Sequence, residues 1–328
     1  MTDTDYDVLA IGDAVVDVIA PADEELLAEE GVPKGSMRVL DREGADRLYA
    51  RMGPAQETSG GSAANSMAGI AALGGRAAFV GQIGSDQLGT IFAHDIRAQG
   101  VAFETPPLVG DVSTGRCLIL VTPDAQRTMN TYRGASEHLS VDALDELQIA
   151  RAAIVYLEAY LWDHDAPRIA MKRAADMART AGRKVAFTLS DIACIGRHRP
   201  DFLEFLESGR IDILFGNEEE ARALAGTVDL DAAVAELARH AELCVITRGG
   251  DGAMAVRNGE TVSVPATPPR ALVDTTGAGD LFAAGFLVGH AWGRPLEASL
   301  ALGAAAAAQV IADYGARPRG DLGGLVGN

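Results

Sequence analysis

Short apolar runs rich in β-branched residues alternate along the chain with longer amphipathic stretches, and the two patterns predict different elements. Near-continuous apolar runs at Asp7–Gly12, Ala77–Gln82, Ala152–Leu157, Lys184–Leu189, Ile211–Phe215 and Leu243–Thr247 predict strands buried on both faces. Apolar residues at helical spacing predict helices over Ser62–Leu73, with Ser62 as N-cap, and over Gln87–Gln99 and Asp165–Ala181. Further helices are predicted over Glu218–Ala225, after Asn217, and over Asp231–His240. Strand then helix, repeated, predicts an α/β fold with a central, mostly parallel sheet flanked by helices. Two segments break the alternation. Ala14 to Ser59 opens as Val15-Val16-Asp17-Val18-Ile19, and Thr114 to Arg133 reads as two strands around the turn Pro123-Asp124-Ala125. These predict a small β-sheet lid, 14–59 and 114–133, on a large α/β domain made of 1–13, 60–113 and 134–328. Two Ala- and Gly-rich helices, Ala278–Ala291 and Leu296–Asp313, are expected near the end.

Composition narrows the class. The chain has 328 residues, 48% hydrophobic and 23% charged, which excludes a disordered or collagen-like chain and leaves room for about two domains. Its 28 Lys and Arg against 46 Asp and Glu give a net charge of −18, opposite to the basic footprint that nucleic acid or an anionic membrane needs. Cys117, Cys194 and Cys244 lie too far apart for a disulfide framework or a C-x-x-C zinc site, and fit a reducing cytoplasm. The amino terminus, Met1 to Asp7, holds three aspartates and no Lys or Arg, the wrong sign for a signal peptide. The most apolar stretch, Leu281 to Ala312, is broken by His290, Arg294 and Glu297, so no membrane span is expected.

The densest chemistry lies in Asp274-Thr275-Thr276-Gly277-Ala278-Gly279-Asp280, at the start of a predicted helix. A helix beginning there would direct the amides of Gly277, Ala278 and Gly279 outwards at its positive dipole end, which is an anion cradle. Asp280, in the first turn, is placed to take a proton from an alcohol attacking a bound phosphoryl group. Read alone, the motif favours the plainer use, a carboxylate that complements the dipole and glycines that make a turn. Competing glycine motifs fail. None of the three lysines, Lys34, Lys172 and Lys184, follows a glycine, so there is no P-loop; the first strand ends Gly12-Asp13-Ala14-Val15-Val16, without a dinucleotide fingerprint. A second dense segment, Ser59-Gly60-Gly61-Ser62-Ala63-Ala64-Asn65-Ser66, would let a hydroxyl-rich ligand pack on backbone, with Asn65 offering a donor and an acceptor.

Four motifs in order, Gly60-Gly61-Ser62-x-x-Asn65-Ser66, Asn217-x-x-Glu220 after a strand, Thr247-x-Gly249-x-x-Gly252 and the Asp274-to-Asp280 loop, resemble those of the ribokinase-like (PfkB) carbohydrate and nucleoside kinases, over essentially the whole chain. The first motif and Asp212-Ile213-Leu214-Phe215-Gly216-Asn217-Glu218 are more similar to the adenosine kinase branch than to ribokinase. The resemblance implies a ribokinase-like fold whose large domain binds nucleotide and whose lid covers the acceptor. It also implies ATP-dependent phosphorylation of a small-molecule hydroxyl, adenosine 5′-OH to AMP. A sugar kinase of the same family is the alternative, and a non-catalytic nucleotide-binding regulator a more distant one. Asp280 would be the base and the Gly277, Ala278 and Gly279 amides the anion hole, with Arg127 reaching the transferring phosphate. Asp13, Asp17, Gly60, Gly61, Ser62 and Asn65 would bind the acceptor, Asp17 through vicinal ribose hydroxyls. Met129, Tyr160 and Trp162 are candidates to contact a base. Thr247, Gly249 and Gly252 would line the ATP site, Asn217 and Glu220 would organise Mg²⁺ through water, and Asp274 and Thr276 would hold a monovalent cation such as K⁺. The implied partners are ATP and a nucleoside or sugar, in a cytoplasmic monomer or homodimer.

Overall fold

The structure, a computed structural model, describes residues 4–124 and 126–327; Ala125 of the expected turn and Met1 to Asp3 of the acidic amino terminus lie outside the described residues. In chain order the elements begin β1 (Tyr6–Ile11), β2 (Val15–Pro21), α1 (Glu24–Glu29), β3 (Met37–Val39), α2 (Arg42–Arg51), β4 (Gln56–Gly60), α3 (Ser62–Ala72), β5 (Ala77–Val80), α4 (Gln87–Ala98), β6 (Val101–Phe103), β7 (Thr114–Val121) and β8 (Arg127–Gly134). They continue α5 (Glu146–Ala150), β9 (Ala152–Glu158), α6 (Asp165–Thr180), β10 (Lys184–Thr188), α7 (Ile192–Glu207), β11 (Ile213–Asn217), α8 (Glu218–Ala225) and α9 (Leu230–Leu237). The last are β12 (Leu243–Thr247), β13 (Ala253–Arg257), β14 (Glu260–Val264), α10 (Ala278–Ala291) and α11 (Leu296–Val310).

The described residues form a nine-stranded sheet in the order β14-β13-β12-β11-β10-β9-β1-β5-β6, parallel from β12 through β6 and closed at one edge by the antiparallel β13 and β14. All six strands expected from apolar runs lie in its parallel part. Each is apolar on both faces because both faces are covered. Along β1, Val8 and Ala10 enter one core with residues of α3, α10 and α11, while Leu9 and Ile11 enter the other with residues of α6, α7 and α8. The strand order turns at β1, between β5 and β9, and an open α/β sheet carries its ligand crevice at such a point, beyond the strands' carboxyl ends. Gly12 and Asp13 follow β1 there, Glu158 ends β9, and Asn217 and Thr247 end β11 and β12.

A separate lid sheet has the order β3-β8-β7-β2-β4, with β7 and β8 antiparallel and β2 parallel to β7. Val16, Val18, Leu118 and Leu120 join Leu27, Ala45 and Leu48 of α1 and α2 in the core, so the lid has its own helical backing. Those two helices correct the reading of 14–59 as sheet alone. Asp23 and Asp41 cap them, each accepting an amide hydrogen bond from the first turn. α7 also escaped the apolar pattern; it is kinked at His198, just ahead of Pro200, which cannot donate to the helical ladder. β6 and β14 are edge strands, the one three residues long and the other largely polar, and β13, an apolar strand between β12 and β14, was not among those expected. Ser62 is the first residue of α3 rather than its N-cap: Gly61 occupies the cap at φ +95°, leaving the Ser62 hydroxyl free for another partner.

Candidate active site

That partner is Asp280. Ser62 Oγ donates to Asp280 Oδ1 at 2.6 Å and Asn65 Nδ2 to Oδ2 at 2.9 Å, so the first turn of α3 grips the carboxyl in the first turn of α10. Burial pushes the Asp280 carboxyl above its ordinary range, and the Ser62 and Asn65 hydrogen bonds and the Arg317 charge oppose the rise. The carboxyl is thus raised by burial while both of its oxygens are held by donors. Asn65 Oδ1 is buried without a partner, an acceptor left over for a ligand hydroxyl. Gly277 caps α10. The expected cradle of three amides is reduced to two: the Ala278 N–H donates to Thr275 O at 3.2 Å, whereas those of Gly277 and Gly279 have no backbone acceptor among the described residues.

Towards the lid, Asp17 projects from β2 beside Gly60, where a Cβ would stand 2.4 Å from the carboxyl. Gly61 is held equally tightly, since a Cβ there would meet the Asp13 carbonyl oxygen at 2.1 Å. Desolvation raises Asp17 to about 6, against the pull of Arg317 and Arg127. Asp13 is buried with Oδ1 unpartnered. Its backbone N–H and that of Ala63 both donate to Glu158, which staples the end of β1 to the start of α3. Burial raises both carboxyls of the Asp13 and Glu158 pair, the Asp13 charge adds to the rise at Glu158, and the Arg133 charge opposes the rise at Asp13.

On the opposite side, Ser62, Gly279 and Asp280 share a cavity of about 110 Å³ with Asn217, Glu220 and Thr247, lined also by Tyr156, Ser190 and Phe215. Asn217 and Glu220 form a capping box for α8: Asn217 N and Nδ2 donate to the two Glu220 carboxylate oxygens, and Asn217 Oδ1 accepts from Glu220 N. Each Glu220 oxygen keeps a second lone pair, so the box can also accept from a metal-bound water, which fits Mg²⁺ arriving with the triphosphate. Among the described residues no group of three or more His, Cys, Asp or Glu could hold a metal by itself. Gly249 has open space at its Cβ position, as a ligand-facing residue would, whereas Gly252 lies against the Val264 carbonyl for reasons of the turn.

Other expectations are corrected. Asp274 Oδ1 accepts from Thr276 N and Oγ1, while Oδ2 accepts from Gly315 N and pairs with Arg127 at 3.0 Å. While Arg127 is paired with it, the carboxylate has four donors on its two oxygens and takes no further cation at Asp274 and Thr276. Arg127 is therefore stored on the anion loop, with Nε buried and unpartnered. Trp162 is fully buried and packs edge-on against Phe187 and Phe202, so it is core and not a base contact. Tyr160 donates to Ser190 O at 3.4 Å, and Met129 lies half-buried on β8. Pattern reading missed Glu158, Arg133 and Arg317. Glu158 had a signal, a charge closing an apolar strand; the two arginines had none.

The chain matches the family described as pfkB family carbohydrate kinase over residues 6–320. Adenosine kinase from Sinorhizobium meliloti superposes with a TM-score of 0.92 at 48% identity, covering 98% of each chain. A probable sugar kinase from Rhizobium etli CFN 42 superposes with a TM-score of 0.93 at 43% identity, covering 99% of this chain and 98% of that one. By sequence, 5-dehydro-2-deoxygluconokinase of Shouchella clausii (strain KSM-K16) is 28% identical over 320 residues, 94% of this chain and 90% of its own.

Proposed function

This chain belongs to the PfkB carbohydrate kinase family, and we propose that the acceptor it phosphorylates is adenosine, converted with ATP to AMP. The coarser activity, an ATP-dependent carbohydrate or nucleoside kinase with an alcohol as acceptor, follows from the family. Adenosine is supported chiefly by one observation, the 48% identity to an adenosine kinase across 98% of both chains.

The geometry supports the following chemistry. The lid sheet covers the acceptor, Asp17 accepts from the vicinal ribose hydroxyls, and Asn65 Oδ1 takes a further donor. The 5′-hydroxyl lies against Asp280, which accepts its proton as the oxygen attacks the γ-phosphorus in line; the bond from that phosphorus to the bridging oxygen breaks and ADP leaves. The Gly277 and Gly279 amides stabilise the charge that develops on the phosphoryl oxygens, and Arg127 leaves Asp274 to reach them. Asn217 and Glu220 would hold Mg²⁺ through water, and the ion would supply neutralisation of the phosphate charge. Thr247 and Gly249 border the nucleotide.

A sugar acceptor is the second reading, supported by the 43% identity to a probable sugar kinase over nearly the whole chain. Steady-state kinetics with adenosine, inosine, ribose and fructose separates the two. A buried purine adds about 3–4 kcal/mol of contact area and stacking, so adenosine should exceed ribose in kcat/KM by at least about 10²-fold. Equal or better turnover of a free sugar overturns the adenosine reading.

A further inference from the structure

We infer that Arg317, in the loop after α11, is a positioning residue that fixes the acceptor side of the site and supplies the positive field in which Asp17 and Asp280 work. The inference rests on the reading of Asp17 as hydroxyl ligand and Asp280 as base. The guanidinium reaches three segments at once. Nε donates to Ser59 O at 3.1 Å and Nη2 to Ser59 Oγ at 3.0 Å, while Nη1 donates to Ala64 O and to Gln99 Oε1, both at 3.0 Å. One side chain thereby ties the last turn of the lid strand β4 to the first turn of α3 and the end of α4. Ser59 is fully buried and passes the connection on: its hydroxyl donates to Asp95 Oδ2 at 2.5 Å, which also accepts from Ser59 N and Gln99 Nε2. The peptide fixed in this way leads directly into Gly60 and Gly61, the wall against Asp17 and Asp13. A planar fork of five donors can hold such a set of acceptors; an ammonium cannot.

None of the four acceptors is charged, so the cation is not neutralised by the bonds that hold it. Its field falls on Asp17, Asp95 and Asp280. Burial lowers the Arg317 guanidinium to about 10, which leaves it charged at neutral pH. Asp17 otherwise faces Arg127, Cys117 and Asp280, and Arg127 is committed to Asp274. Asp280 faces Asp17 on β2, Ser62 and Asn65 on α3, and Tyr156, Glu158 and Tyr160 from the β9 side, a set without another cation. Without Arg317, both carboxyls would keep the cost of burial and lose the charge that offsets it.

The test compares Arg317→Gln, Arg317→Lys and Gln99→Ala with the parent enzyme. Arg317→Gln should move the acid limb of kcat/KM upward by about one pH unit or more, because an opposite charge at close range typically lowers a carboxyl by 1–3 units. It should also lower kcat by about 10–10²-fold through misplacement of the wall, with KM for ATP unchanged within about twofold. Arg317→Lys should return the acid limb towards that of the parent without restoring kcat. Gln99→Ala, at a half-exposed helix end, removes one acceptor without opening the core and should lower kcat/KM by about 2–5-fold. The ¹³C carboxyl titrations of Asp17 and Asp280, assigned with Asp17→Asn and Asp280→Asn, should shift upward together in Arg317→Gln. That readout needs no turnover, so a chain inactive on every acceptor would sink the functional reading while still deciding the role of Arg317. An unmoved acid limb and unmoved titrations in Arg317→Gln overturn the inference. If that variant does not fold, kcat/KM of Gln99→Ala equal to that of the parent overturns it.

Discussion

The Ser62 and Asn65 donors hold both oxygens of the Asp280 carboxyl beside the anion loop, and the proposed function makes that carboxyl the base. Asp280→Asn keeps the size and most of the hydrogen bonding but cannot accept the proton. Its kcat should fall by about 10²–10⁴-fold with ATP affinity little changed, and a variant that keeps more than about a tenth of the parental kcat refutes the assignment. Asp17 makes a different prediction, because the proposed function has it bind the acceptor without reacting. With its carboxyl raised to about 6, it loses its proton as pH rises through that value, and only the ionised form accepts from two hydroxyls. The acceptor KM should therefore rise as pH falls below about 6, and Asp17→Asn should remove that dependence while weakening every ribose-containing acceptor. A KM flat from pH 5 to 8 in the parent enzyme counts against Asp17 as the ligand.

At the scale of elements, the lid and the anion loop are joined by the buried pair of Arg127 and Asp274. If the lid closes over the acceptor, adenosine should protect the amides of 14–59 and 114–133 from hydrogen exchange, whereas ATP alone should protect mainly the carboxyl-terminal third. Uniform protection by either ligand argues against a lid. The junction of β4 with α3 is the least forgiving turn. Gly61→Ala places a methyl group 2.1 Å from the Asp13 carbonyl at φ +95°. Left-handed strain and overpacking together should cost about 2–4 kcal/mol, read as a lowered urea midpoint.

For the whole molecule, buried carboxyls set the pH dependence of stability. Desolvation raises Glu220 to about 7 and Asp17 to about 6, and raises Glu158 as well. Between their unfolded values near 4 and these folded values, the native state holds more protons than the unfolded chain, so stability falls as pH rises. Carboxyls lowered by partners, such as Asp163 and Asp274, act only further into acid, where stability falls as pH drops. The urea midpoint should be higher at pH 5 than at pH 8. Glu220→Gln, which can keep the capping box, should flatten that slope; an unchanged slope means that Glu220 is ionised in the native state.

Hydrophobic period located six of the seven parallel strands and α3, α4, α6, α8 and α9, because a residue buried on both faces of a covered sheet, or on the inner face of a helix, must be apolar whatever its neighbours. The glycine loop before α10 was readable for a similar local reason, since a tight turn and a helix terminus are specified within a few residues. Asp280 could be picked out there, but not the two donors that hold it, 218 and 215 residues away in sequence. The Asn217–Glu220 motif illustrates the limit: its spacing is that of a capping box, and only its placement in the cavity with Asp280 adds a chemical use. Arg127 on Asp274, Glu158 across the β1–α3 junction and Arg317 under the lid were decided by tertiary structure alone. A charge acquires its partners from whatever the fold brings within about 3 Å, and a single chain position carries no trace of that distance.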